Sequence, residues 1–286
     1  MYVIIWLVIS MKHYVKRLLC TACAMATLST LSACGKEKMP ENSDIELDGK
    51  KYQLTFYDDF EGEELDKSKW DHCPEYERSD YGGKWQDDMA VLDGKGNLLI
   101  KVDTRNGVPV SGAVRTRSKR ERDLFAQAQG YFEIKCKLQS ATGCWGAFWL
   151  MCNGVSSVGN KATDGAEIDI FESYDVNGGN INHAIHYDGY GEYHQSVGCT
   201  TTNKNLYDGN YHTFALLWND DGYYFYTDGE MVNKIDKSQA NFPGSSTVPS
   251  YLKITAEFGS WGGYISKATL PDALVVDYVK VYKEVK

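Results

Sequence analysis

The sequence predicts an all-β fold, a two-sheet antiparallel β-sandwich of jelly-roll type formed by one large domain. Three observations carry that expectation. From about residue 49 to the C-terminus, segments rich in aromatic and β-branched residues recur, with Gly, Asn and Asp in the gaps between them. Several alternate cleanly: Phe132, Ile134 and Cys136 against Tyr131, Glu133, Lys135 and Lys137. Such alternation belongs to antiparallel strands with one face in a core. Neither helical periodicity nor a repeat of fixed length interrupts the pattern.

The elements follow in chain order. Residues 1–33 read as a secretory signal, with a basic region at Met11–Arg17 and an apolar stretch, "LLCTACAMATLSTLSA", ending before Cys34. Leu31-Ser32-Ala33-Cys34 resembles the bacterial lipoprotein box, which makes Cys34 a candidate lipidated residue and the mature N-terminus. The apolar "MYVIIWLVIS" ahead of the basic region is out of order for a signal and reads as an upstream extension. Residues 34–48 form a polar tether, and 49–286 the folded domain. Predicted strands are "YFEIKCKLQ" (131–139), "CWGAFWLMC" (144–152), "AEIDIFESY" (166–174), "YHTFALLWN" (211–219), "GYYFYTDGEMV" (222–232), "LKITAEFG" (252–259) and "ALVVDYVKVYK" (273–283). The basic run "RTRSKRER" (115–122) reads as a solvated loop before the Tyr131 strand, although it could border a subsite for an acidic unit.

Composition narrows the partners. The formal charge is −9, without a long Lys/Arg run, which argues against nucleic acid. Aromatics reach 13% of residues, with 20 Tyr and 7 Trp, and exposed aromatic faces stack on sugar rings and other flat ligands. Five cysteines remain after the signal and Cys34: Cys73, Cys136, Cys144, Cys152 and Cys199. Cys144 and Cys152 could pair, but an odd count without C-x-x-C spacing favours buried free thiols. No zinc spacing such as H-E-x-x-H occurs, so no catalytic metal is expected.

"GAEIDIFESYD" (165–175) crowds Glu167, Asp169 and Glu172 within six positions. On a regular strand Glu167 and Asp169 share a face, Ile168 and Ile170 take the core, and Glu172 would be driven inward. Burying that charge without a partner costs several kcal/mol. A β-bulge shifts the alternation by one residue, turns Phe171 inward and returns Glu172 to the other acids. Two carboxyl groups ~5–5.5 Å apart suit retaining glycoside hydrolysis. Mutual repulsion separates acid and base roles in such a group. A solvated acidic face or a calcium site would use the same residues.

"DGAEIDIFES" also resembles the active-site strand of glycoside hydrolase family 16, which reads E-x-D-x-x-E in a bulged branch and E-x-D-x-E otherwise. "AQGYFEIKCKLQSATGCWGAFWLM", "DGNYHTFALLWNDDGYYFYTDGE" and "VVDYVKVY" extend the likeness, in the family's order, over about residues 52 to 284. The resemblance implies a concanavalin A-like lectin/glucanase fold with Glu167 as nucleophile, Asp169 as assisting carboxylate and Glu172 as general acid/base. It implies endo-acting cleavage of a β-linked polysaccharide with retention, in a bulged, laminarinase-like branch. The first expected substrate is β-1,3- or mixed β-1,3/1,4-glucan. The alternatives are an endo-β-galactosidase of agarase, porphyranase or O-glycan type, a transglycosylase, and a non-catalytic sugar-binding module.

Trp145 and Trp149 share a strand face with Ala147 and are candidate sugar platforms. His186, Trp261 and Trp85 are further substrate-binding candidates that the resemblance points to. Gly146 departs from the family's usual Pro, which puts the local loop in doubt. No cofactor is expected for catalysis. Asp277, near Asp58 to Gly62 in the pattern, is the candidate ligand of a structural calcium. The expected protein is a monomeric lipoprotein of the cell envelope, in the outer membrane and facing the periplasm or the surface, attached to membrane through its lipid alone.

Overall fold

The computed structural model describes residues 44–286 apart from Tyr76 and Ser79. The signal, Cys34 and most of the tether lie outside the described residues. Two sheets pack face to face. One has twelve strands, with the path Glu230–Asp236, Gly222–Thr227, His212–Asn219, Gly130–Lys137, Asp272–Glu284, Leu98–Arg105, Val108–Ser111, Gly83–Trp85 and Glu77–Arg78. Lys50–Asp58 adds to it beside Asp272–Glu284. The other sheet has seven strands, in the order Gln195–Thr202, Asn180–Tyr187, Glu167–Asp175, Cys144–Met151, Tyr251–Phe258, Ala113–Arg115 and Asp71–His72. Pairing among the described residues is antiparallel, except for Gly83–Trp85 with Val108–Ser111. Helical structure there is confined to short 3-10 turns.

The core lies between the sheets. Phe132, Ile134 and Cys136 are wholly buried on one, and meet Phe148, Ile168 and Phe171 from the other. Trp218, Phe214 and Phe225 complete the layer from the hairpin strands. The outer face of Gly130–Lys137 carries a smaller cluster, where Tyr131, Leu217 and Tyr282 pack on Tyr52.

Three expectations about elements are corrected. "GYYFYTDGEMV" is two strands, because Asp228 and Gly229 take φ of 49° and 81° and turn the chain back on itself. The tether is shorter than 34–48, since Ile45–Leu47 already pairs with Lys50–Tyr52. The basic run is not simply solvated. Arg115 and Arg117 are buried, and the Arg115 guanidinium donates to Glu121 at 2.7 Å while Arg117 donates to Asn153 at 2.9 Å. All five described cysteines are free thiols.

Candidate active site

The centre of the seven-stranded sheet carries the three acids. Gly165 leads into their strand, where a Cβ would stand 2.5 Å from the Gly154 backbone and φ is 134°, so only glycine fits. Across the next strand, Asp169 pairs with Ala184 and Glu172 with Asn182, so Ile170 and Phe171 together oppose His183 alone. The strand on the other side shows the same step, with Phe148 opposite Phe171 and Trp149 opposite Asp169. This is a β-bulge. Both Ile170 and Phe171 face the core, and Glu172 returns to the outer face with Glu167 and Asp169.

A side chain not singled out from the sequence secures the bulge. His183 is fully buried opposite it, with Nδ1 at 2.7 Å from the Ile170 carbonyl. A carbonyl only accepts, so Nδ1 carries the hydrogen, and Nε2 accepts from the Thr201 hydroxyl at 3.1 Å. Burial lowers the pKa to about 4, which keeps the ring neutral. The Ile170 carbonyl, at the bulge, thereby has a side-chain partner.

The acids line a cavity of about 450 Å³ with Trp145, Trp149, Tyr190, Lys253 and Glu257. Asp169 is 3% exposed, and its Oδ2 lies 3.3 Å from His186 Nε2, within ion-pair range but out of hydrogen-bond alignment. Burial pushes the Asp169 carboxyl well above its ordinary range, with the Glu167 and Glu257 charges adding and Lys253 opposing. Glu172 is pushed up in the same way, by burial first and then by Asp169, against a 2.9 Å hydrogen bond from Asn182. Glu167 accepts the hydroxyl of Tyr190. One carboxyl pushed toward its protonated form beside another that accepts a hydrogen bond is an arrangement suited to acid and nucleophile roles.

The expected substrate residues divide. Trp145 lines the cavity with its indole edge-on to Trp261, ring centroids 5.3 Å apart. Gly259 makes room for it, since a Cβ there would stand 3.1 Å from that indole. Trp261 is 43% exposed and stacks on Tyr174 at 4.3 Å, a partner that sequence reasoning missed. His186 reaches the site on the neighbouring strand. Trp149 lines it as well, but its ring is capped by the Lys253 ammonium at 3.7 Å and its N–H donates to Thr255. It is a wall, not an open platform.

Trp85 corrects the expectation of a sugar contact. It is 3% exposed, does not line the cavity, and donates its N–H to the Ala256 carbonyl beneath Lys253. Gly146 lies inside a strand, so no altered loop results. Its N–H donates to Ser173 Oγ, and a Cβ there would meet Gln139 at 2.6 Å. Lys253, Thr255 and Glu257 were legible as the outward set of "LKITAEFG", but nothing in the sequence tied that set to the acids.

At the residues named for a structural calcium, Asp277 lies 3.0 Å from the Lys135 ammonium. Asp58 accepts from the Phe60 N–H and the Trp70 indole. Among the described residues, one group brings three or more His, Cys, Asp or Glu ligand atoms within 4.8 Å, namely Glu167, Asp169 and His186.

Comparison with known proteins finds a family match and likeness in fold. The family model "Glycosyl hydrolases family 16" matches residues 77–280. A glucan endo-1,3-beta-glucosidase A1 of Niallia circulans is 27% identical over 81% of this chain and 38% of its own length. A keratan-sulfate endo-1,4-beta-galactosidase of Sphingobacterium multivorum is 28% identical over 97% of this chain and 67% of its own. The chain thus spans well under half of the first relative and about two thirds of the second. The X-ray structure of an endo-beta-1,3-glucanase from Pyrococcus furiosus superposes with a TM-score of 0.67, at 25% identity, over 87% of this chain and all of that one.

Proposed function

Because the chain belongs to glycosyl hydrolase family 16, we propose that it hydrolyses a β-linked polysaccharide internally and with retention, through Glu167, Asp169 and Glu172. The observation that carries this is the bulge, which brings the three carboxyl groups to one cavity, with Glu172 pushed toward its protonated form. In the first step the Glu167 carboxylate attacks the anomeric carbon while Glu172 gives its proton to the departing glycosidic oxygen. In the second, water attacks the same carbon, Glu172 takes its proton, and Glu167 leaves as carboxylate. Asp169, against both Glu167 and His186, holds the nucleophile's surroundings.

The proposed substrate is a β-1,3- or mixed β-1,3/1,4-glucan, by likeness to the Niallia and Pyrococcus proteins. Likeness to the Sphingobacterium galactosidase, which extends over nearly the whole chain, supports a β-galactan as the second reading. A panel of laminarin, barley glucan, agarose, porphyran and mucin, followed by reducing ends and by the anomer first released, tests both. Release of the inverted anomer, or no cleavage of any of the five, would overturn the proposal. Product sizing with added acceptor oligosaccharide distinguishes a transglycosylase.

The leader and Leu31–Cys34 support a lipoprotein of the cell envelope. Cys34→Ser should move the protein from the detergent phase to the aqueous phase, and a mature N-terminus beyond Cys34 would refute the anchor. Action as a monomer is part of the proposal, and size-exclusion chromatography with light scattering tests it.

A further inference from the structure

We propose that Tyr190 is a positioning residue for Glu167, delivered by the loop of residues 188–194 to hold the nucleophile's carboxylate through its phenolic hydroxyl. The inference rests on Glu167 being the nucleophile. The loop joins Asn180–Tyr187 to Gln195–Thr202 and is anchored at its base. Asp188 is 4% exposed and accepts from Gly159 N and Gln195 Nε2, both at 3.2 Å, and Gly189 N donates to the Val155 carbonyl. From that base Tyr190 reaches over the cavity with 55% of its surface exposed, yet its hydroxyl turns inward and donates to Glu167 Oε2.

The ring is braced from the far end of the same loop. Tyr190 lies 5.9 Å from His194, centroid to centroid, and His194 stacks on His186 at 5.2 Å with planes 9° apart. His186 Nδ1 and His194 Nε2 are 3.0 Å apart, and the other nitrogen of His186 faces Asp169. One loop therefore touches the nucleophile directly and its assisting carboxylate through a histidine. Burial of the phenol and the charge of Glu167 hold Tyr190 protonated, so it remains a donor.

What the hydroxyl does follows from charge. A hydrogen bond to an ionised carboxylate is about twice as strong as one between neutral groups. In the glycosyl-enzyme Glu167 is a neutral ester, and the bond to Tyr190 weakens. When water attacks the anomeric carbon and gives its proton to Glu172, the bonding pair leaves with Glu167 and the hydrogen bond strengthens. Tyr190 thus favours the step that frees the nucleophile.

The test is Tyr190→Phe, which keeps the ring and removes the donor, on whichever panel polysaccharide the wild type cleaves. Expected is a fall in kcat of about tenfold or more with a parallel fall in KM, because a slowed second step lowers both. A glycosyl-enzyme should then accumulate and be visible by mass spectrometry, with the melting temperature unchanged. Tyr193→Phe, on the same loop and 61% exposed, should behave as wild type. Unchanged kcat and KM, a lower kcat with KM unchanged, or a lowered melting temperature would overturn the inference. A second measurement does not depend on the substrate. The wild type should show a downfield hydroxyl proton by NMR that disappears in Tyr190→Phe and shifts in Glu167→Gln. Its absence from the wild type sinks the inference while leaving the hydrolase reading intact. Its presence in a protein that cleaves nothing upholds the hydrogen bond and sinks that reading instead.

Discussion

Phe171 and Phe214 meet across the sandwich, one from each sheet, with ring centroids 4.3 Å apart. That contact ties the bulge to the core, since Phe171 turns inward only because the alternation slips beside it. Phe171→Ala should lose roughly 3–5 kcal/mol of stability, as expected for a buried aromatic replaced by alanine. The loss of activity should be smaller, because the acids stay on the outer face. Urea unfolding and kcat of the folded fraction measure the two effects, and an unchanged urea midpoint would contradict the packing.

His183→Ala should act on the site through the backbone. Without the ring, the Ile170 carbonyl loses its 2.7 Å partner and remains buried, at a cost of about 1–3 kcal/mol. Activity should fall as well, since Ile170 precedes Phe171 and Glu172 in the bulge. His183→Asn, which restores a donor, should recover part of both. Equal stability and kcat in His183→Ala and wild type would show that the bulge needs no such partner.

Glu167→Gln should leave less than about a hundredth of wild-type turnover with the fold unchanged. The amide has nearly the same shape but is no nucleophile, and its position is only half-buried. The check is a reducing-end assay beside circular dichroism, and activity above that fraction would remove the nucleophile role.

Stability should fall as pH rises from about the ordinary carboxylate range. Asp169 and Glu172 both have raised pKa values, above ordinary values of 3.8 and 4.5. In that window the unfolded chain ionises them while the folded protein keeps their protons, so the folded state binds more protons and loses stability with increasing pH. Glu172→Gln removes one such group. Its melting temperature should match wild type at pH 4 and exceed it at pH 8. A gap that narrows as pH rises would contradict the assignment.

Trp145→Ala should raise KM by about tenfold, the equivalent of 1.4 kcal/mol of lost stacking, with a smaller change in kcat. Trp85→Phe should leave KM unchanged and lower stability only modestly, since the buried Ala256 carbonyl loses its indole donor but keeps the Ser111 hydroxyl at 2.7 Å. Steady-state kinetics and thermal melts on the pair distinguish a sugar contact from a buried support. A KM effect in Trp85→Phe would restore it to the substrate path.

Local chemistry determined much of this protein in advance. Alternation in "YFEIKCK" and the aromatic runs specify strands with one buried face, because side-chain direction in a strand depends only on position. The bulge was legible for the same reason: a charge at Glu172 cannot be sent into a core without a partner, and an extra residue is the least costly remedy. Tertiary structure decided what depends on who stands opposite. Trp85 and Trp145 are both tryptophans in strands, but one lies beneath Lys253 and the other opens on the cavity. Asp277 has a neighbouring lysine across the sheet, which no pattern along its own strand reveals. Tyr190 reaches Glu167 from 23 residues away in sequence, and His183 reaches Ile170 from 13. Those pairings depend on strand register and loop closure, which bring together groups that the sequence keeps apart.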